Sequence, residues 1–127
     1  MTNILITGSR SIKLKEYVFD ILNKLIKNGD MVIQGGAEGV DSITLEWCQT
    51  SSLNINFKTI RPINPKDKIS YLYRNAEMIG MCDRVIAIWD GKSRGTLFTI
   101  KYAKSRGIPL TIYNISERNK KIFGEDD

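Results

Sequence analysis

The chain has 127 residues, a formal net charge of +5 and no histidine. That length fits one domain with a core of its own, and 42% hydrophobic with 26% charged residues is a globular composition rather than a disordered or membrane-embedded one. The missing histidine excludes Ser-His-Asp and Cys-His catalysis and the H-E-x-x-H zinc site, which leaves carboxylates, Lys, Arg, Tyr and bound water for any chemistry.

Asn3 to Thr7 is a short apolar run bounded by Gly8-Ser9-Arg10 and reads as a buried strand. From Ile12 to Lys27, apolar residues recur at steps of three and four with Lys and Asn between them, which predicts an amphipathic helix stopped by Asn28-Gly29. Met31 to Gln34 is a second strand, and Glu38 to Thr50 a second helix with Trp47 on its apolar face. Asn54 to Ile60 reads as a third strand. Arg61-Pro62-Ile63-Asn64-Pro65 cannot be helix interior and has the length of an active-site lid.

Lys68 to Gly80 carries helical spacing again, and Val85 to Trp89 is the clearest strand. A polar turn, Asp90 to Gly95, leads into a helix from Thr96 to Gly107. Ile108 to Tyr113 is a last strand whose proline suits an edge. The domain is expected to close at 113, with 114–127 a partly flexible C-terminal extension of short helix and frayed tail.

Strict strand–helix alternation implies a parallel sheet covered on both faces, joined by right-handed crossovers. The economical solution is an α/β, three-layer, doubly wound sheet of five strands in the order 3-2-1-4-5. Its ligand site then lies beyond the carboxyl ends of strands one and four, where the order reverses. Three glycine-bearing loops fall on that edge: Gly8-Ser9-Arg10, Gln34 to Gly39, and Asp90 to Gly95. Each feeds a helix, so each offers backbone N–H groups and a helix N-terminus to an anion. Three such loops on one edge argue for a nucleotide more strongly than any one of them.

Two familiar phosphate motifs fail. The dinucleotide fingerprint needs three glycines after strand one, and only Gly8 is there. Gly91-Lys92-Ser93 resembles the end of a Walker A motif, but the glycine required five positions earlier is Ile86. Arg74-Asn75, on the third helix, could clamp a phosphate or pair on the surface with Glu77 or Asp67. Trp89 could stack a base or cover the rim of the sheet. Asp41 could accept from a ribose hydroxyl or stabilise a helix start.

Cys48 and Cys82 form no C-x-x-C pair and read as buried, reduced thiols, so no metal site and no bound cofactor are expected. No apolar run reaches the length of a bilayer span. The first residues lack the pattern of a secretion signal, so the expected location is cytoplasmic and no membrane partner is expected.

Taken together, Gly8-Ser9-Arg10, Gly35-Gly36-Ala37-Glu38-Gly39-Val40-Asp41, Arg74-Asn75, Asp83 to Gly91 and Ser93-Arg94-Gly95-Thr96 resemble the SLOG superfamily, over roughly residues 3 to 113. That superfamily gathers DNA-processing protein A, the Lonely Guy phosphoribohydrolases and a small uncharacterised branch, whose GSR, GGA-x-G-x-D, RN and S-x-GT marks this chain matches best. The resemblance implies a Rossmann-like fold with a nucleotide-type ligand in the crevice, and often a homodimer. It also implies a catalytic role for Arg74, matching an arginine of the phosphoribohydrolases. Their glutamate after the P-G-G-x-G-T turn has no counterpart here, since Gly95-Thr96 is followed by Leu97-Phe98-Thr99, and Asp90 to Arg94 replaces the Pro-Gly-Gly.

Three functions follow, in order. The first is binding of a nucleotide or nucleotide-derived small molecule by Gly8, Ser9, Arg10, Gly35, Gly36, Ala37, Glu38, Gly39, Asp41, Asn75, Trp89, Asp90, Ser93, Gly95 and Thr96. The second is hydrolysis of a nucleoside 5′-monophosphate at its N-glycosidic bond, with Glu38 or Asp41 standing in for the missing glutamate. The third is binding of single-stranded nucleic acid.

Overall fold

Strands and helices alternate along the chain, in a computed structural model that describes residues 1–116. The elements are β1 (Asn3–Gly8), α1 (Lys15–Leu25), β2 (Met31–Gln34), α2 (Val40–Thr50), β3 (Asn56–Thr59), α3 (Lys68–Met81), β4 (Arg84–Trp89), α4 (Arg94–Ser105) and β5 (Leu110–Asn114). All four strand pairings are parallel and the order is β3-β2-β1-β4-β5. The fold is therefore the expected α/β, Rossmann-like, doubly wound sheet, and the order reverses between β1 and β4. Most of the C-terminal extension expected over 114–127 lies outside the described residues. Ile115, just past β5, is buried in the core. No described helix is long and apolar enough to cross a membrane.

The period-two geometry of a strand splits the central residues between two cores. Ile4 and Ile6 of β1 and Ile86 and Ile88 of β4 pack on one face with Val18 and Leu22 of α1 and Val40 and Trp47 of α2. Leu5 and Val85 face the other way, against Met78 and Ile79 of α3 and Ala103 of α4. With both faces covered, β1 and β4 are buried nearly end to end, which is why they read as unbroken apolar runs. Trp47 is core, its indole N–H donating to Asn23 Oδ1 at 2.8 Å. Cys48 and Cys82 are buried free thiols, and burial pushes Cys48 up to about 12.

The helix starts differ from the periodicity where loops intervene. α1 begins at Lys15 rather than Ile12, because Ile12 N–H bonds back to the Ser9 carbonyl and closes a turn. α2 begins at Val40 rather than Glu38, because Gly39 takes a φ of +78°, outside helical space. α4 begins at Arg94, two residues before Thr96, because Ser93 caps it and accepts from Thr96 N–H. Each change lies on the carboxyl edge of the sheet, and there the three loops meet.

Candidate functional site

The β1–α1, β2–α2 and β4–α4 loops hold one another in place. Ser9, fully buried, donates its N–H to the Ile88 carbonyl, and its hydroxyl accepts from Asp90 N–H at 3.0 Å. The Ser9 carbonyl accepts from Val40 N–H on the second loop. Asp90 Oδ1 accepts from the N–H groups of Lys92 and Ser93, both at 2.8 Å, and Oδ2 accepts from the Ser11 hydroxyl at 2.7 Å. Burial alone would raise the Asp90 carboxyl, but bonds from Ser11, from the Ser93 and Lys92 N–H groups and from Ser9 overcome it and hold the group down at about 2. Asp90 thus folds its own loop and ties it to the first.

Four of the glycines have internal reasons. A Cβ at Gly39 would fall 2.5 Å from the Ser9 carbonyl oxygen and 2.6 Å from Arg10 Cα, and one at Gly8 would fall 2.5 Å from a Val40 methyl. A Cβ at Gly36 would meet Arg61, and one at Gly35 would meet Arg74 and Asp41. Gly95 is different, since a Cβ there would meet nothing within 4 Å.

Two adjoining clefts open on this edge. The first, about 400 Å³, is lined by Gly8, Arg10, Ser11, Ala37, Asp41, Tyr71, Arg74, Asn75, Asp90, Ser93, Gly95 and Thr96, with Thr7 and Met78. The second, about 440 Å³, is lined by Gly35, Gly36, Ala37, Glu38, Arg61, Pro62 and Pro65, and it shares Arg10, Ala37 and Tyr71 with the first. Of the residues expected from sequence, Ser9, Gly39 and Trp89 line neither cleft. Ser9 and Gly39 build the loops from behind. Trp89 spends its indole N–H on the Ser93 carbonyl, at 3.0 Å, and so braces the β4–α4 loop. Glu38 is exposed and pairs with Lys13 at 3.4 Å.

Arg74 is no surface residue. It is 7% exposed, its Nη1 donates to the carbonyls of Gly35 at 2.6 Å and Ile60 at 3.2 Å, and its Nε donates to Asn75 at 2.8 Å. Nη2 makes no hydrogen bond among the described residues. Desolvation lowers the Arg74 pKa, the Asp41 charge opposes that, and the nearby Arg10 and Arg61 charges push it lower. Asp41, on the cleft floor, is pushed up to about 6 by burial, against the N–H of Ala37, the Arg74 charge, the N–H of Gly35 and the Arg10 charge. Two guanidinium groups, of Arg74 and Arg10, therefore act on one buried carboxyl whose own charge is disfavoured, and the Arg61 charge acts on Arg74. A site with that balance attracts an anion.

Sequence reasoning overlooked Tyr71. Its ring lies against the guanidinium groups of Arg10, 5.1 Å from the ring centroid, and Arg74, at 5.3 Å. It stands three residues before Arg74, so helical spacing could have placed both on one face. The Arg10 side chain makes no hydrogen bond or ion pair among the described residues, and its five donors stay available. The first turn of α4 adds the backbone N–H groups that helix geometry leaves unpaired. Among the described residues, no group of three His, Cys, Asp or Glu side chains forms that could hold a metal ion.

No family model matches the sequence, and no curated protein matches it. Solved structures do match. The fold is similar to that of DNA processing protein A. The protein from Helicobacter pylori, described for its single-stranded DNA binding mode, matches with a TM-score of 0.72 and 24% identity over 87% of this chain. DNA processing protein A from Streptococcus pneumoniae matches with a TM-score of 0.76 and 17% identity over 88% of this chain. This chain spans 64% and 50% of those two chains. At such identities, the likeness to DNA processing protein A is one of fold.

Proposed function

We propose that this protein is a SLOG-type domain over residues 1–113 that binds single-stranded nucleic acid along the carboxyl edge of its sheet. The observation that carries the reading is a pair of adjoining clefts, one lined by Arg10 and Arg74 and the other by Arg10 and Arg61, with the Arg10 guanidinium stacked on Tyr71 but making no hydrogen bond or ion pair among the described residues, and with the Asp41 charge disfavoured by burial. Two clefts that share Arg10, Ala37 and Tyr71 give more length than one compact ligand needs, which suits a linear polymer. The single-stranded DNA named for the Helicobacter pylori neighbour agrees with that. The first cleft would take a phosphate from Arg10, Arg74 Nη2 and the α4 N-terminus, and Tyr71 would give a base or sugar an aromatic face.

A second reading has its own support. Asp41 on the cleft floor is placed to accept a hydroxyl, so a single nucleotide or nucleotide-derived molecule would also find a complete set of partners in the first cleft. Hydrolysis of a nucleoside monophosphate has weaker support. The glutamate expected after Thr96 is absent, and Thr99 is buried with its hydroxyl on the Gly95 carbonyl.

Anisotropy of a fluorescein-labelled thymidine 10-mer, titrated with protein across a salt series, tests the proposal. Binding whose logarithm falls linearly with the logarithm of salt is expected, with a slope set by the phosphates contacted. No binding at low salt sinks the reading; displacement of the 10-mer by AMP at equal affinity would favour the single-nucleotide alternative.

A further inference from the structure

The second cleft is assigned no role by the first. Its walls are the backbone of Gly35-Gly36 on one side and Arg61, Pro62 and Pro65 on the other. The proline loop is not loose. Asn64 N–H donates to the Ser70 hydroxyl at 2.9 Å, the Tyr71 hydroxyl donates to the Pro65 carbonyl at 2.9 Å, and Asp67 caps α3 by accepting from Ile69 N–H at 3.0 Å. This loop, which has the length of an active-site lid, is thus fastened to the first turn of α3 as a standing wall. Both clefts fall in the range of roughly 300–1,000 Å³ that holds one small-molecule ligand. They share Arg10 and Tyr71, and the Arg10 guanidinium, stacked on Tyr71, makes no hydrogen bond or ion pair among the described residues.

We infer that the second cleft is a distinct nucleotide subsite, so that the unit recognised is a phosphodiester-linked dinucleotide, with Arg10 on the bridging phosphate and Arg61 on the phosphate or sugar of the second nucleotide. The inference rests on the nucleic-acid reading above and adds its length. In the second cleft the nucleotide lies against Pro62, Pro65 and Tyr71, and of the lining side chains suited to read base edges, Arg10 and Arg61 are taken by phosphate or sugar, which leaves Glu38. Arg61 spends one long bond, 3.4 Å, on the Gly36 carbonyl and is otherwise available among the described residues. Little base preference and a marked dependence on ligand length follow from that lining.

The test is displacement of the labelled thymidine 10-mer by 5′-phosphorylated thymidine (pT) and by the dinucleotide pTpT, with wild type and with Arg61→Ala. Arg61 is exposed and weakly bonded, so the variant should fold, and thermal unfolding checks that it does. The expected result is that pTpT competes at least tenfold better than pT against wild type, and that the step shrinks below threefold in Arg61→Ala. Equal competition by pT and pTpT against wild type overturns the second subsite while leaving nucleic-acid binding intact. A step that persists undiminished in Arg61→Ala also overturns it. If the 10-mer itself does not bind, the functional reading fails and this inference with it.

Discussion

Arg74 donates through Nη1 to the Gly35 carbonyl oxygen at 2.6 Å, and a methyl group on Gly35 would run into that same guanidinium, its Cβ 2.7 Å from Arg74 Cζ and 2.9 Å from Asp41 Oδ2. Gly35 is thus the floor on which the charged pair rests. The obstructing atoms belong mainly to the end of a side chain, which can shift, but only by stretching the bonds that Arg74 makes to Gly35 and Ile60. Gly35→Ala should therefore fold, lose about 3 kcal/mol from crowding together with weakened Arg74 hydrogen bonds, and bind the 10-mer much more weakly because Arg74 is displaced. Gly39→Ala should be worse for stability, since its obstacles are backbone atoms and its φ is +78°. Urea unfolding of both variants checks the order; equal stability losses would contradict it.

Arg10 and Arg74 separate binding from folding. Arg74→Ala strips donors from two carbonyls and from Asn75 and leaves Asp41 buried without its nearest counter-charge, which should cost about 3 kcal/mol or more. Arg10→Ala removes no hydrogen bond among the described residues. Its melting temperature should stay near that of wild type, while its affinity for the 10-mer falls and the salt slope drops by about one. An unchanged salt slope in Arg10→Ala would mean that this guanidinium does not meet a phosphate.

Much of this architecture was legible in the chain itself. The strand order followed from alternation of apolar runs and helical spacing, and β1 and β4 announced their burial through unbroken Ile, Leu and Val. The glycine loops were found, but one reason for them was not. Gly8 and Gly39 lack side chains so that one loop can lie on another, a tertiary requirement that no local pattern reveals. Sequence left Trp89 open between stacking a base and covering the rim of the sheet, and its hydrogen bond to the Ser93 carbonyl is a tertiary contact that no local pattern shows. The second cleft was hidden because its walls come from the β1–α1 loop, the β2–α2 loop, the proline loop and α3, far apart in sequence.

Asp41 gives the site a pH dependence with a definite sign. Its folded pKa, about 6, lies above the ordinary 3.8, so between those values the folded chain holds a proton that the unfolded chain has released. Stability contributed by this group is therefore fully present below about 3.8 and declines as pH rises to about 6, by about 3 kcal/mol. Asp41→Asn should remove that decline. The difference in unfolding free energy between wild type and Asp41→Asn, measured in urea from pH 4 to pH 7.5, should move against wild type up to about pH 6 and then level. A difference that is flat through this window would show that Asp41 titrates as an exposed carboxyl does. Affinity for the 10-mer should fall over the same interval, as a negative charge develops beside the phosphate.

Gly95 makes the sharpest separation of stability from binding. It is the second residue of α4, it lines the first cleft, and a Cβ on it would meet nothing within 4 Å. Its φ is not in the left-handed region, so neither backbone conformation nor packing demands glycine there. A glycine inside a helix costs about 0.5–1 kcal/mol relative to alanine, so keeping one where the fold does not need it is a cost without structural return. The open space beside it is what a phosphate approaching the α4 N-terminus would occupy. Gly95→Ala should accordingly raise the unfolding free energy by about 0.5 kcal/mol while weakening binding of the 10-mer, and Gly95→Leu should weaken binding further with the fold still intact. Chemical denaturation and anisotropy on the same preparations read the two effects. If Gly95→Leu binds as tightly as wild type, the phosphate does not come to the start of α4, and the ligand must lie nearer Arg61 and the proline loop.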